Sequence, residues 1–426
     1  MTTEIWRKNN LISLVKVMKS GGTPDTSKES FYNGEIPFVT IEDMSGSQKY
    51  LLNTTKRITN EGLKKSNAWL VPENSLLYSI YATLGLVRIN TLRVATNQAI
   101  LAMIVDDELI KQEYLYYWLE YIHDSVINLS SQTTQSNLSA SAVKRFIVYH
   151  PQDKKEQEKI AEVLSTVDRA IAQTEVLIAK QQRIKTGLMQ DLLTKGIDEN
   201  GNIRSEETHE FKDSAIGRIP VEWDVKTLAD LAEVDRGKFT HRPRNDPKFY
   251  GGDHPFIQTG DITSHIGRIV YKYTQTLNDR GTLVSKEFPK NTIAVTIAAN
   301  IADTAILGIS MFFPDSVVGV KVFKPNNTRF VEMMIRHFKP VLDGLAPQSA
   351  QKNINLEVLR PLKIPTPKPQ EQRIIGELYN SLDSSQANEE LILQKLSALK
   401  TGLMQDLLTG KVRVTPLLEN SGGTDS

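Results

Sequence analysis

The decapeptide KTGLMQDLLT occupies residues 185–194 and returns unchanged at residues 400–409. The likeness continues upstream at the same offset of 215 residues, where EQEKIAEVLSTVD (156–168) aligns with EQRIIGELYNSLD (371–383). Apolar residues recur in both segments with the spacing of an amphipathic helix. The repeat therefore predicts two copies of one long helix, each of about 39 residues and roughly 58 Å long.

The two helical segments share an apolar seam with heptad spacing, which is typical of a coiled coil. Gln181 and Lys185 interrupt the seam midway, where Leu177 and Ile184 shift the apolar stripe sideways. Because a lone helix would expose this face, the two copies should pair. The second globular domain follows from the far end of the first helix and the second helix follows that domain, so we expect an antiparallel pair, with residue 160 near 403 and residue 188 near 375. The predicted seam and partner-binding residues are Ile160, Val167, Ile171, Ile178, Leu188, Leu192, Ile375, Leu382, Leu393, Leu396, Leu403 and Leu407.

The segments before the helices repeat more faintly. FYNGEIPFVTIEDM (31–44) matches FYGGDHPFIQTGDI (249–262), and PENSLLYSIYA (72–82) matches PKNTIAVTIAA (289–299). Short β-rich runs lie between Gly, Pro, Asn and Asp, and one amphipathic helix is expected in each half, at 113–129 and 329–345, with its aromatic stripe in the core. The fold class predicted is mixed α/β (α+β), with two globular domains separated by two long antiparallel coiled-coil helices in an internal pseudo-twofold repeat.

The boundaries of this organisation follow from the repeat and from a polar, glycine-containing stretch after the first helix. The predicted parts are a globular domain at 1–154, a long helix at 155–195, a linker at 196–217, a second globular domain at 218–369, a second long helix at 370–411, and a flexible tail at 412–426.

Composition limits the class of protein. With 40% hydrophobic and 24% charged residues the chain is expected to be globular, and its net charge of +1 means that any argument for DNA binding must be local. The chain has no cysteine, and its start, MTTEIWRKNN, lacks the apolar segment of a secretory signal. The most apolar stretch, 291–313, is interrupted by Asn300 and Asp303 and is predicted to form two strands. A cytoplasmic protein without a membrane partner is expected.

Motifs for catalysis are missing from the sequence. It contains no G-x-x-x-x-G-K-[ST], G-x-G-x-x-G, H-E-x-x-H or G-x-S-x-G motif, and no Asn/Asp-Pro-Pro-aromatic motif of amino-methylating enzymes. Seven histidines are scattered without the spacing of metal ligands. We therefore expect no catalytic residue, no metal and no cofactor on this chain.

One basic loop is a candidate for binding nucleic acid. The segment RGKFTHRPRNDPK (236–248) holds five cationic residues and a single acid, Asp246. Such a loop suits phosphate and base-edge contacts, although a solvated surface loop is an equally good interpretation. The candidate DNA-binding residues here are Arg236, Lys238, Thr240, His241, Arg242, Arg244 and Lys248.

The corresponding position in the first half is SGGTPDTSKES (20–30), which is poorer in charge and richer in glycine and hydroxyls. Two equivalent loops of different polar chemistry are expected of domains that read different sequences. YATLG (81–85) and ANIAD (299–303) form a second such pair, for which plain structural turns are the alternative. The candidate DNA-binding residues of these segments are Thr23, Thr26, Ser27, Lys28, Tyr81, Thr83 and Asn300.

A third pair of segments is similar in both halves. QTTQSNL (132–138) and QSAQKNI (348–354) are expected to hold a common loop rather than to discriminate between bases. Their polar residues are Gln132, Gln135, Asn137, Gln348, Gln351 and Asn353.

Taken along the whole chain, these strings resemble the specificity (S) subunit of a Type I DNA restriction-modification system. The resemblance is carried by GGTP, IPFVTIEDM, VATNQAI, QTTQSNL, EQEKIAEVLSTVD, KTGLMQDLLTKG, FKDSAIGRIPVEWDV and the final MQDLLTGKVRV. One departure is that the first half keeps only EIW (4–6) of FKDSAIGRIPVEW, so the packing of the N-terminal segment does not follow from the resemblance.

The resemblance implies that 1–154 and 218–369 are target-recognition domains, each reading one half of a bipartite, asymmetric sequence in double-stranded DNA. It implies that the helices measure the unread spacer. The expected partners are two modification (methyltransferase) subunits, which carry S-adenosylmethionine and methylate adenines, and two restriction (motor-nuclease) subunits, with ATP and Mg also on partner subunits. A stand-alone coiled-coil scaffold for proteins and a degenerate DNA methyltransferase are the alternatives.

Overall fold

The computed structural model describes residues 6–131, 137–298, 300–346 and 353–419. The chain divides into two compact units, one formed by Met1–Glu175 with Leu391–Ser426 and the other by Val176–Glu390. The two long helices, Lys154–Thr194 and Pro369–Leu408, each belong partly to one unit and partly to the other.

The first unit contains two main β-sheets and a two-stranded ribbon. A five-stranded sheet has the order β2-β10-β7-β8-β4, a four-stranded sheet has the order β5-β3-β9-β6, and β1 pairs with β11. The strands are β1 (Trp6–Asn10), β2 (Val15–Ser20), β3 (Tyr32–Val39), β4 (Tyr50–Leu51), β5 (Lys56–Ile58), β6 (Leu70–Val71), β7 (Leu76–Ser79), β8 (Val87–Asn90), β9 (Val94–Thr96), β10 (Ile100–Val105) and β11 (Ile147–Pro151).

The second unit repeats this arrangement. Its five-stranded sheet has the order β15-β23-β20-β21-β17, its four-stranded sheet has the order β18-β16-β22-β19, and β14 pairs with β24. The strands are β12 (Phe211–Ser214), β13 (Gly217–Pro220), β14 (Asp224–Thr227), β15 (Ala232–Arg236), β16 (Tyr250–Phe256), β17 (Ile269–Val270), β18 (Gln275–Leu277), β19 (Lys286–Phe288), β20 (Ile293–Thr296), β21 (Thr304–Leu307), β22 (Met311–Phe313), β23 (Val317–Val322) and β24 (Lys363–Thr366).

The faint sequence repeat is thus a repeat of topology, and it confirms the mixed α/β fold class. Even the mixed pairing recurs, since β4 runs parallel to β8 as β17 does to β21. One difference is the hairpin β12-β13, which crosses the predicted boundary between linker and second domain at residue 217 and has no counterpart among the described residues of the first unit. The N-terminal strand β1 nevertheless pairs with β11 as β14 pairs with β24, and of the EIW string only Trp6 lies among the described residues.

Six described helices of the first half recur in the same order in the second half. The helices of the chain are α1 (Ile41–Gly46), α2 (Asn60–Lys64), α3 (Gln112–Tyr121), α4 (His123–Ser131), α5 (Ala140–Lys144), α6 (Lys154–Thr194), α7 (Leu228–Leu231), α8 (Thr259–Thr263), α9 (Asp279–Val284), α10 (Thr328–His337), α11 (Lys339–Leu345), α12 (Leu356–Leu359), α13 (Pro369–Leu408) and α14 (Thr415–Glu419). Three short 3-10 helices lie at Leu11–Leu14, Glu29–Phe31 and Pro247–Phe249.

The single amphipathic helix predicted in each half is broken into two, α3 with α4 and α10 with α11. In the second unit the break falls at Phe338, and Pro340 lies in the first turn of α11, where a missing backbone N–H costs no helical hydrogen bond. The aromatic stripe of α3 lies in the core as predicted, since Tyr114, Tyr117 and Trp118 are buried.

Each unit has a core on both faces of its five-stranded sheet, because successive strand residues point to opposite faces. In the first unit, Leu77 and Ala102 pack against the four-stranded sheet. Their neighbours Tyr78 and Met103 pack against α3 and against residues of the two long helices. The second unit repeats both cores.

Within each unit the long helices run antiparallel, as the seam predicted. In the first unit Ile160, near the start of α6, joins the same apolar cluster as Leu403 and Leu407, near the end of α13. In the second unit Ile375, near the start of α13, clusters with Leu188 and Leu192, near the end of α6.

The ends of the seam are its most buried part. The seam residues Ile160, Val167, Leu192, Ile375 and Leu407 are buried. The half-buried members are Ile171, Ile178, Leu188, Leu382, Leu393, Leu396 and Leu403.

The predicted sideways shift of the seam is wrong. Leu177 and Ile184 are 40% and 50% exposed, whereas Lys185 is buried. The ammonium of Lys185 lies 2.5 Å from a carboxylate oxygen of Asp383 on α13, so the charge that was expected to interrupt the seam is neutralised within it.

Candidate nucleic-acid interface

The two loops singled out by their sequence occupy the same place in the two units. Residues 237–249 connect β15, at the edge of the five-stranded sheet, to β16 of the four-stranded sheet. Residues 21–31 connect β2 to β3 in the same way. We call residues 237–249 the second loop and residues 21–31 the first loop.

Three arginines of the second loop region converge on one residue that the sequence did not suggest, Asp315, in the turn between β22 and β23. Its carboxylate oxygen Oδ2 accepts hydrogen bonds from Arg242 at 2.9 Å and from Arg244 at 2.6 Å. The Nε of Arg236 donates to the backbone carbonyl of Asp315 at 2.5 Å. Two guanidinium groups thus share one carboxylate and a third lies on the backbone of the same residue, which leaves an excess of positive charge around Asp315.

The base of the second loop is aromatic. Phe239 and Phe249 are buried, and the ring of His241 lies 4.5 Å from that of Phe249. Asp246 caps the 3-10 helix at Pro247–Phe249, and its hydrogen bond with Lys248 holds the pKa of its carboxyl below the usual range. His241 and Lys248 both face Asp246, at 3.3 and 2.9 Å, so both side chains are engaged inside the loop.

Two further candidates of the second loop are held through their backbones. The amide of Lys238 donates to the carbonyl of Phe313 at 3.0 Å, and that of Thr240 donates to the carbonyl of Val284 at 3.1 Å. Both side chains are exposed. They are therefore presented to solvent from an ordered backbone.

The first loop is held by hydroxyl and carboxylate contacts instead of guanidinium groups. The hydroxyl of Thr23 donates to Gln98 at 2.7 Å. Asp25 accepts from the amide and hydroxyl of Ser27, and these hydrogen bonds lower the pKa of the Asp25 carboxyl. The ammonium of Lys28 lies 5.2 Å from the ring of Phe31. All four candidates of this loop, Thr23, Thr26, Ser27 and Lys28, are exposed.

One contact is shared by the two loops. The hydroxyl of Tyr32 donates to the carbonyl of Pro24 at 2.7 Å, and the hydroxyl of the corresponding Tyr250 donates to the carbonyl of Arg244. Burial raises the pKa of both tyrosines. Tyrosines at equivalent positions thus hold two loops of different chemistry in place.

The described residues of the second pair of candidate segments, 81–85 and 300–303, lie in matching hairpin turns, between β7 and β8 and between β20 and β21; residue 299 lies outside the described residues. The hydroxyl of Ser79 donates to the carbonyl of Thr83, as Thr296 donates to that of Asn300. Gly85 and Ala302, at equivalent positions of the two turns, both have positive φ, at 79° and 59°. The backbones of Thr83 and Asn300 therefore serve the turn, while the side chain of Tyr81 is 40% exposed.

Of the third pair of segments, Gln132, Gln135, Gln348 and Gln351 lie outside the described residues. The residues that follow make the same contact in both units, since the amide of Leu138 donates to the carbonyl of Ile80 and that of Ile354 to the carbonyl of Ile297, each at 3.0 Å. This agrees with a common loop framework.

Neither a metal centre nor a membrane span is found in the part of the chain that the structure describes. No three or more His, Asp and Glu side chains gather there closely enough to hold a metal ion. Among those residues no helix combines the length and the apolar character needed to cross a bilayer.

Comparison with known proteins gives one consistent family. A family model described as Type I restriction modification DNA specificity domain matches residues 4–181 and again 220–398. The Type I restriction enzyme MjaIX specificity subunit of Methanocaldococcus jannaschii is 28% identical over 253 residues, which cover 58% of this chain and 56% of the relative. The HindI specificity subunit of Haemophilus influenzae is 30% identical over 152 residues, covering 34% and 32%. The match thus spans little more than half the length of the first relative and about a third of the second.

Solved structures show the same fold. The S subunit of a Type I restriction-modification system from M. genitalium has a TM-score of 0.60 at 17% identity, covering 96% of this chain and 97% of that one. A chain from a structure on complex assembly and conformational transition of the type I R-M system also has a TM-score of 0.60, at 13% identity, covering 95% and 97%.

Proposed function

The chain belongs to the Type I restriction modification DNA specificity family, and we propose that it reads a bipartite, asymmetric DNA target for a type I restriction-modification complex. In this proposal, residues 1–154 and 218–369 each read one half of the target. The long helices 155–195 and 370–411 hold the two recognition domains and set the unread spacer, with 196–217 as linker and 412–426 as tail.

The observation that carries the proposal is the pair of equivalent loops. Equivalent strands lead into and out of the two loops, and equivalent tyrosines, Tyr32 and Tyr250, hold them. The second loop nevertheless offers arginines, whereas the first loop offers hydroxyls and a lysine. Arginine suits guanine and phosphate, whereas Ser and Thr hydroxyls suit several base edges. A common framework with different exposed chemistry fits a protein that reads two different half-sites.

The partners follow from the family. We propose that two modification subunits and two restriction subunits dock on this chain, and that S-adenosylmethionine, ATP and Mg belong to them. The identical KTGLMQDLLT strings, which lie in different units, offer two equivalent surfaces for two identical partners. The chain itself then performs no methyl transfer.

The experiment is to purify the chain with and without its modification subunits and to assay methyl transfer to genomic DNA. Methylation of adenines in one bipartite motif is expected only with the subunits present. Methylation by the chain alone, free of contaminating subunit, would instead indicate a degenerate methyltransferase.

A second measurement addresses the scaffold alternative. The chain should bind a duplex column at low salt and leave it as salt is raised, because phosphate contacts release counterions. A chain that never binds DNA, alone or in the complex, would support a protein scaffold.

A further inference from the structure

We propose that Arg244 reads the edge of a base, which the chemistry of the guanidinium identifies as guanine, and that Asp315 positions Arg244. This inference rests on the proposed function. Arg242, although adjacent, serves the loop itself. The structure thereby separates residues that the sequence presents as one undivided basic segment.

The hydrogen bonds of Arg242 are largely used within the protein. Its Nη1 donates to the carbonyls of Phe239 at 2.6 Å and His241 at 2.8 Å, and its Nη2 donates to Asp315. A guanidinium nitrogen Nη carries two hydrogens, so Nη1 has none left for a ligand. Arg242 therefore fastens the loop to its own backbone and to the β22-β23 turn.

The guanidinium of Arg244 is held at one corner only. Among the described residues its single hydrogen bond runs from Nη2 to Asp315 at 2.6 Å, and its side chain is 53% exposed. The guanidinium has five N–H donors in a planar fork, so most of them remain free for two acceptors side by side. Guanine offers such a pair, O6 and N7, in the major groove.

Arg244 is also fixed at its backbone, since its carbonyl accepts the hydroxyl of Tyr250. A side chain tethered at both ends loses less conformational entropy when it binds than a free arginine does. Asp315 provides the distal tether, and because it is shared with Arg242 its position is set by the loop rather than by the ligand.

The first loop supplies an internal control. Its sequence, SGGTPDTSKES, contains no arginine. Changes at Arg244 or Asp315 should therefore affect one base pair of one half-site and leave the other half-site untouched.

The test uses the full chain assembled with its modification subunits. Methylation is measured on duplexes with the methylated motif and on duplexes with one base pair changed at each position of either half-site. Arg244→Lys keeps the charge but loses the planar fork, so discrimination at one G·C pair should fall about tenfold or more. Arg218→Lys, an exposed arginine outside the loop, is the matched control and should keep full discrimination.

Asp315→Asn tests the positioning role. It removes a negative charge beside the DNA, so overall affinity should hold or rise, while discrimination at the same G·C pair should fall several-fold. A merely structural defect would lower affinity and discrimination together. Circular dichroism and assembly with the modification subunits verify that both variants are folded.

Two results would overturn the inference. Arg244 contacts only phosphate if Arg244→Lys keeps full discrimination while Arg244→Ala weakens all duplexes equally and lowers the salt slope by about one. A loss of discrimination in both half-sites would place the effect outside the second loop. Failure of the proposed function looks different, since the wild-type complex would then show no preference for any sequence.

Discussion

A glutamate at the start of each long helix, buried for Glu156 and half-buried for Glu371, ties that helix to the end of the other one. Glu371 accepts from Arg204 at 2.6 Å and from the amide of Ile197 at 2.9 Å, and Glu156 accepts from Arg413 at 2.6 Å. In both units the arginine follows the C-terminal end of the other long helix. Burial disfavours the charge of Arg204, but the hydrogen bonds and charges of Glu371 and Glu222 together outweigh burial and raise the pKa of Arg204.

The first prediction concerns the contact between Glu371 and Arg204. Glu371→Ala leaves the guanidinium of Arg204, 5% exposed, without its main partner, so the free energy of unfolding should fall by about 3 kcal/mol. Urea denaturation followed by circular dichroism measures the change. The control is Glu377→Ala on the same helix, whose exposed pair with Arg373 is 3.9 Å long and should cost less than about 0.5 kcal/mol. Equal effects of the two changes would show that this contact adds nothing.

At the scale of elements, reciprocal ion pairs hold the two long helices together. Lys185 of α6 pairs with Asp383 of α13 in one unit, and Lys400 of α13 pairs with Asp168 of α6 at 2.7 Å in the other. Each lysine is the first residue of a copy of the repeated decapeptide, and each aspartate is the last residue of a copy of the repeated upstream string. The same contact is thus made twice, with the contributing helices exchanged.

The second prediction is a coupling energy between these charges. In a double-mutant cycle of Lys185→Ala and Asp383→Ala, the coupling should be about 1 kcal/mol, because the side chains are only 11% and 19% exposed. The exposed i,i+3 pair Lys159 with Glu162 is the comparison, with about 0.3 kcal/mol expected. A coupling near zero for Lys185 and Asp383 would mean that apolar packing alone sets the pairing.

For the whole molecule, the repeat predicts that specificity is modular. The third prediction is that replacing residues 218–369 by the same segment of another family member changes one half of the methylated sequence. The contact of β14 with β24 lies inside the exchanged segment, so the replacement should fold. Sequencing of methylated adenines in the host reads out both halves. A change in both halves would contradict modular reading.

The fourth prediction concerns the spacer. Four residues added to each long helix, after Glu175 and after Glu390, leave the ion pairs of both units intact. Four residues turn a helix by about 400° and lengthen it by about 6 Å, close to two base pairs. The methylated motif should keep both half-sequences and gain one or two unspecified bases.

The matched control for the spacer adds two residues to each helix at the same sites. Two residues turn the helix by about 200°, which misaligns the apolar faces, so assembly should be impaired. An active complex with four added residues and the original spacing would show that the helices do not set the distance.

The sequence by itself determined the repeat, the fold class and the antiparallel seam, because heptad spacing and strand-turn punctuation are local properties of the chain. It also located the two loops, since they fall at equivalent places in the repeat. It did not reveal the break in each amphipathic helix. It also predicted that Leu177 and Ile184 shift the apolar stripe sideways, whereas both are exposed and Lys185 pairs with Asp383 within the seam.

Tertiary structure alone decided the partners of the charges. Asp315 lies 71 residues after Arg244, and Arg204 lies 167 residues before Glu371. No local pattern links such residues, because each contact depends on how distant strands and helices pack. The charge of a basic segment can be counted from its letters, but which guanidinium remains free for a ligand depends on which carboxylates and carbonyls the fold brings beside it.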